Sequence, residues 1–268
     1  MRTLTLTCLL SLLLALPSFG QSIDLSKLIQ APGYLPLGKS AKVGFRYERT
    51  TTVGGQESRE FMAIVGETKD TWEIESTQGL SGYGSLPSGK DIVLALVVDK
   101  KTHKVLIARL GKVGGELKEV KVMKMPPLKG SVDPKKPDRL ESVKLPGGKE
   151  IEAEVHVTEV AGKTYTTWVG KKGSDLEGIL IKHSGQEDYG LTKDPAPETL
   201  ELEDKDDQGK PVTIEAVRTS YSNGYSYSTT KNEIAVAFNV QAVRLESKQF
   251  SMAVVSLRKD AKKTLTWK

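Results

Sequence analysis

Residues 204–215, DKDDQGKPVTIE, place carboxylates at positions one, three and twelve with a glycine at six, as an EF-hand loop does to wrap a hard cation in oxygen donors. Gln208 fills position five, Pro211 stands at eight, and the flanks TLEL and VTIEAV alternate as strands instead of forming a helix pair. A polar hairpin turn accounts for the same residues. No metal or cofactor is therefore assigned, with calcium at 204–215 an open alternative. The three histidines, His103, His156 and His183, stand far apart and have no local partners at ligand spacing. No G-x-S-x-G, H-E-x-x-H or P-loop pattern occurs, and Gly82-Tyr83-Gly84 runs into Pro87 where a dinucleotide fingerprint needs glycine before a helix. With no nucleophile to name, no catalytic residue is assigned and the chain reads as a non-enzyme. The tract SYSNGYSYSTTKN sets Tyr221, Tyr225 and Tyr227 around Asn223-Gly224. Such tyrosines can stack on sugars or meet a protein partner, and the same alternation fits a hairpin whose rings pair across strands.

The elements that must position these groups are strands. Val43, Phe45 and Tyr47 alternate with polar residues up to Gly54-Gly55, and SREFMAIVG resumes beyond, which predicts a β-hairpin. TWEIEST adds a strand with Trp72, Ile74 and Ser76 on one side and Glu73 and Glu75 on a wet face. DIVLALVVD is continuously apolar, as in a strand covered on both faces or lining a concave interior. KVLIARLG and the alternating LKEVKVMKM predict another hairpin, and four prolines between 126 and 137 mark an internal boundary. EIEAEVHVTEV, TYTTWVG, LEGILIKHSG and EDYGLT follow as strands, then TLELED, VTIEAVRT, NEIAVAFNVQAVRLES, FSMAVVSL and KTLTW. IDLSKLI, residues 23–29, fits one or two helical turns, and no long helix is predicted after residue 30.

The N-terminus has Arg2, an apolar run over residues 4–16, Pro17, and the small-x-small stretch Ser18-Phe19-Gly20. That run is shorter than the roughly 20 residues of a membrane span, so residues 1–20 are expected to be a signal peptide, with the mature chain beginning at Gln21. Cys8 is the only cysteine and leaves with it, which removes disulfides, thiolate zinc sites and a thiol nucleophile. Net charge is +5, or +4 once Arg2 is gone, and lysines are mixed with acids along the chain. A nucleic-acid binder would carry a basic stripe. The chain is expected to be exported to periplasm or medium, to bind no nucleic acid, and not to be an integral membrane protein.

VGFRYERT, AIVGE, TWEIE, LVVDK, LPGGKEIEAEV, TTWVGKKG and LEGILIKHSG follow one another in an order that resembles a group of exported bacterial proteins. Their architecture is similar to the curved half-barrels of the LolA/LolB lipoprotein carriers. The resemblance covers roughly residues 39–191 and carries over no binding or catalytic residue. It implies a mainly β fold, an antiparallel curved sheet or half-barrel with few short helices. Residues 21–195 would form that domain, with a proline-rich linker at 126–139. Residues 196–268 would add strands that complete the sheet or form a small second domain.

Two functions follow. In one, Val93, Leu94, Leu96, Val98, Ile179 and Ile181 line a concave groove for a lipid or other apolar ligand, which binds by burial of apolar area. In the other, the protein is a cell-envelope or surface module that meets a protein or polysaccharide through Tyr221, Tyr225 and Tyr227.

Overall fold

The structure, a computed structural model, describes residues 29–38, 40–77, 80, 92–124, 136–160, 162–186, 188–206, 208–229, 231–240, 242–248 and 250–266. The expected signal peptide at 1–20, the helical turns ahead of Ile29, the loop at 79–90 apart from Leu80, residues 126–135 of the linker and Trp267 lie outside these. The fold is mainly β, in antiparallel sheets, the larger of them curved and not closed into a barrel.

Strand β1 (Gln30–Ala31) precedes the hairpin of β2 (Arg46–Val53) and β3 (Gln56–Glu67). Gly54 and Gly55 both have positive φ, +57° and +82°, as a two-residue turn matched to the twist of its strands requires. The chain continues through β4 (Thr71–Ser76), β5 (Ile92–Asp99), β6 (Val105–Lys112), β7 (Lys118–Glu119) and β8 (Lys121–Val122). Strand β5 is covered on both faces. Leu94, Leu96 and Val98 enter the main core, while Val93 and Ala95 form a smaller cluster with Leu265.

A second sheet follows as a meander: β9 (Arg139–Lys144), β10 (Glu150–Val160), β11 (Lys163–Gly170), β12 (Leu180–Ser184) and β13 (Tyr189–Gly190). The chain then returns through β14 (Lys193–Lys205), β15 (Pro211–Tyr221), β16 (Gly224–Ser228), helix α1 (Glu233–Ala237), β17 (Ala242–Ser247) and β18 (Phe250–Arg258). These late strands join the first ones in an 11-stranded sheet of order β14-β15-β16-β17-β18-β2-β3-β4-β5-β6-β7. The smaller sheet is thus an insertion between two halves of the larger. The stretch 21–195 contributes strands to both sheets, and the strands after residue 196 complete the larger one through the β18–β2 ladder.

Side chains hold the curve. Three strands separate β14 from β18 in the sheet order, yet the Asp204 carboxylate at the end of β14 accepts hydrogen bonds at 2.8 Å from the Leu257 amide and the Arg258 guanidinium. Next to it, Glu203 pairs with Arg59 of β3 at 2.9 Å, and Arg59 also reaches Glu48 of β2.

Four details depart from the sequence reading. LKEVKVMKM does not run as one strand: Val120 is buried and divides it, so that β7 pairs with β6 while β8 pairs in parallel with β1. NEIAVAFNVQAVRLES begins as α1, because the Asn232 side chain accepts the Ile234 and Ala235 amides as an N-cap while Ile234, Ala235 and Ala237 turn into the core. Glu75 is not on a wet face. It is fully buried, with its carboxylate accepting the Thr264 and Leu265 amides and the Thr264 hydroxyl. KTLTW is for that reason no strand over its described residues, since its amides bind a carboxylate in place of a neighbouring ladder.

Candidate functional site

The residues singled out from the sequence for an apolar groove fall into three clusters. Val93, Leu94, Leu96 and Val98 are each exposed by 2% or less and belong to β5, split between its two faces. Ile179 and Ile181 lie in the core of the inserted sheet with Leu145, Ala153, Val155 and Trp168. The β5 residues and the two isoleucines thus sit in separate cores, and Ile179 also lines a cleft.

The three tyrosines sit on the β15–β16 hairpin, whose turn is Ser222-Asn223. Tyr227 is buried in the main core, opposite Arg218 on one side and Arg244 on the other. Tyr225 donates its hydroxyl to the Glu246 carboxylate, a contact that pushes its pKa up. Tyr221 donates to the Leu180 carbonyl at 2.8 Å and ties β15 to the inserted sheet; burial pushes its hydroxyl up as well. The rings do not pair across the hairpin: Tyr225 and Tyr227 are neighbours along β16 with ring centres 5.7 Å apart, while Tyr221 meets Tyr189 of the inserted sheet at 6.5 Å.

The carboxylates of the calcium-like segment go separate ways. Asp204 serves β18, Asp206 accepts the Gln208 and Lys210 amides of its own turn, and Glu215 pairs with Lys231 at 3.3 Å. The segment is a polar hairpin turn between β14 and β15. His103 accepts the Leu37 amide at Nδ1, His156 lies 4.0 Å from Glu154, and His183 stacks on Tyr189 with ring centres 4.9 Å apart. Among the described residues no group of three or more metal-ligating side chains occurs.

The inserted sheet docks against β14 and β15. Val217 of β15 packs on its core, and the Asp194 carboxylate at the start of β14 accepts the Gly147 amide at 2.6 Å. Between the two sheets lies a cleft of about 690 Å3. Leu145, Leu176, Ile179 and Val217 give it apolar walls, and one flank is the segment from Pro195 to Thr199 on β14. Its charged lining comprises Lys149 and Lys231 against Asp175, Glu177, Asp194, Glu198 and Glu215, an excess of three negative charges. Most of these acids already hold something: Glu177 accepts the Gly173 amide and Glu198 pairs with Arg218 at 3.3 Å. Thr229, only 4% exposed, also lines the cleft, and its hydroxyl has no hydrogen-bond partner among the described residues.

Sequence reasoning singled out Ile179, but for a groove shared with β5, and none of the other lining residues. Pro195 and Pro197 were legible as strand punctuation, but nothing in the chain shows that residues 145–149, 175–179 and 194–199 meet, because that juxtaposition arises only when the inserted sheet docks. Comparison with family models, with curated proteins and with solved structures gave no match. No helix among the described residues is long and apolar enough to cross a membrane.

Proposed function

We propose that this is an exported, non-enzymatic binding protein that holds a small amphipathic ligand in the cleft between its two sheets. The observation that carries the reading is the cleft itself, about 690 Å3 with apolar walls and a charged rim. Small-molecule sites occupy roughly 300–1,000 Å3 and combine this kind of apolar lining with a few placed polar groups. Each methylene buried against Leu145, Leu176 and Ile179 contributes about 0.8 kcal/mol, and the rim fixes orientation. Export rests on the N-terminal sequence, and a lipid-derived ligand on the resemblance to lipoprotein carriers. A partner surface through Tyr221, Tyr225 and Tyr227 draws less support, since Tyr227 is core and the other two hydroxyls are engaged within the fold.

Native mass spectrometry tests the reading on residues 21–268, exported by a bacterial host and incubated with an envelope extract without detergent. Thr199 is exposed on the cleft flank, so Thr199→Trp fills the mouth without entering either core. A bound mass on the wild type that is lost from Thr199→Trp is expected. A clean wild-type mass, or an adduct that Thr199→Trp retains, would overturn the cleft as the site.

A further inference from the structure

The polar lining of the cleft is of two kinds, charges that already hold partners and hydroxyls. Of its five acids, Glu198 pairs with Arg218 and Glu215 with Lys231, each at 3.3 Å. Asp194 accepts the Gly147 amide at 2.6 Å and Glu177 the Gly173 amide at 2.8 Å. The fifth, Asp175, lies with the oppositely charged Lys149 where the cleft runs into a neighbouring groove of about 390 Å3. An ionic head group would have to displace one of these partners or lose water beside a charge of its own sign, and either is costly against an apolar wall.

Strand register shows which side chains the large sheet turns towards this space. Pro197 of β14 stands opposite Val217 of β15, which stands opposite Ser228 of β16, and Thr199 stands opposite Glu215. Directly opposed residues leave a sheet on the same face. Val217 packs on the core of the inserted sheet, so this is the face that looks into the cleft. Glu198, between Pro197 and Thr199, belongs to the other face. Ser228 and Thr199 thus set hydroxyls on the two strands that flank Val217. Thr229, just beyond β16, adds a third: it is 4% exposed, lines the cleft, and has no hydrogen-bond partner for its hydroxyl among the described residues. Leaving a buried hydroxyl unsatisfied is unfavourable unless something fills the site.

We infer that the cleft takes an uncharged, hydroxyl-bearing head group on an aliphatic chain, with the head against Thr229, Ser228 and Thr199 and the chain along Leu145, Leu176 and Ile179. This rests on the reading of the cleft as a ligand site and names the chemistry of the head. A hydroxyl both donates and accepts, so it meets the threonine and serine hydroxyls in either sense and asks for no countercharge. A sugar and a glycerol present the same chemistry.

The test is an NMR titration of the intact mature chain with n-hexyl glucoside, monohexanoylglycerol, hexanoate and n-hexylammonium. The two hydroxylated probes are expected to bind about tenfold more tightly than either ion. Their affinity should be the same in 1 M salt, where the screening length falls to roughly 3 Å. Thr229→Val removes the hydroxyl and keeps the branched shape, so affinity for the hydroxylated probes should fall about fivefold, the worth of one hydrogen bond, while that for the ions stays unchanged. Because this hydroxyl has no partner within the described fold, the variant should melt no lower than the wild type. Whichever hydroxylated probe binds more tightly assigns the source of the head group. An ion that binds as tightly as the hydroxylated probes, a Thr229→Val variant that binds them unchanged, or one that melts lower would overturn the neutral head and leave the cleft reading standing. Failure of all four probes to perturb Val217 and Thr229 would overturn both.

Discussion

The carboxylate of Asp204 substitutes for a stretch of missing ladder. Strand β14 ends against β18 without pairing to it, and one side chain supplies the acceptors that a neighbouring strand would otherwise offer Leu257. Burial alone would raise this carboxyl, but hydrogen bonds from Arg258 and the Leu257 amide, together with the Arg258 charge, hold it below the usual carboxylate range. A depressed folded-state value means that the contribution is fully present above the unfolded value of about 3.9 and is lost as pH falls through the folded one. Asp204→Asn should cost about 1–3 kcal/mol in urea unfolding at pH 7. The gap between variant and wild type should narrow below about pH 3.9. Equal stability at pH 7 would show that the curve is held elsewhere, for instance by the Arg59–Glu203 pair. At this scale the sequence was partly legible. The Tyr/Ser alternation of SYSNGYSYS fits β16, with Tyr225 and Tyr227 on one face against the main core, but that this face is the inner one comes from the strands around it and not from the alternation.

Segments of the chain were most legible where their own periodicity met a single environment. The β2–β3 hairpin follows from alternation and its turn glycines, β4 from alternation and β5 from a continuous apolar run, and each is packed by neighbours close in sequence. Alternation misled where a distant segment covers the outer face. Glu73 and Glu75 share a side of β4, yet Glu75 is sealed by residues nearly 190 positions later, whose amides it accepts at 3.0 Å. The stretch after β18 is thus a strap across β4 and β5, with Leu265 packed on Val93 and Ala95. Deleting residues 261–268 should strip Glu75 of these donors and expose the cluster, at about 2–4 kcal/mol. At roughly 2–4 °C per kcal/mol for a chain of this size, thermal unfolding should shift by about 5–15 °C. An unchanged melting temperature would mean that the strap adds nothing to the folded state.

For the molecule as a whole, the decisive feature is that one sheet is inserted within another. The sequence marked the entry, at the prolines between 126 and 137, and most strands of both sheets, but not β9, whose RLESVK carries only two apolar residues. It did not show that the chain goes back to the first sheet after Leu191, since strands of an insertion and of its host look alike in composition. The inserted sheet has its own small core, completed by Val217, while the larger sheet carries the main one. Regions with less buried apolar contact open at lower free energy. Native-state hydrogen exchange should therefore show the amides of β10 to β12 exchanging through an opening that leaves β4 and β5 protected. Identical opening free energies in both sheets would make the molecule a single cooperative unit. The cleft lies on the seam between these two bodies, so a ligand that bridges them should slow exchange in the inserted sheet first.

The position of β18 has a consequence for how the protein is made. It is the last of the described strands and it stands inside the large sheet, hydrogen-bonded to the first long strand, β2, over residues 250–258. Until those residues are available, β2 and β17 are both bare edges, and neither half of the sheet can be joined to the other. A chain still leaving the ribosome is held open by its own topology. Pairing across some 200 residues comes late because the loop must close before the contacts form. The same order that makes folding slow leaves both of those edges bare until β18 has been made.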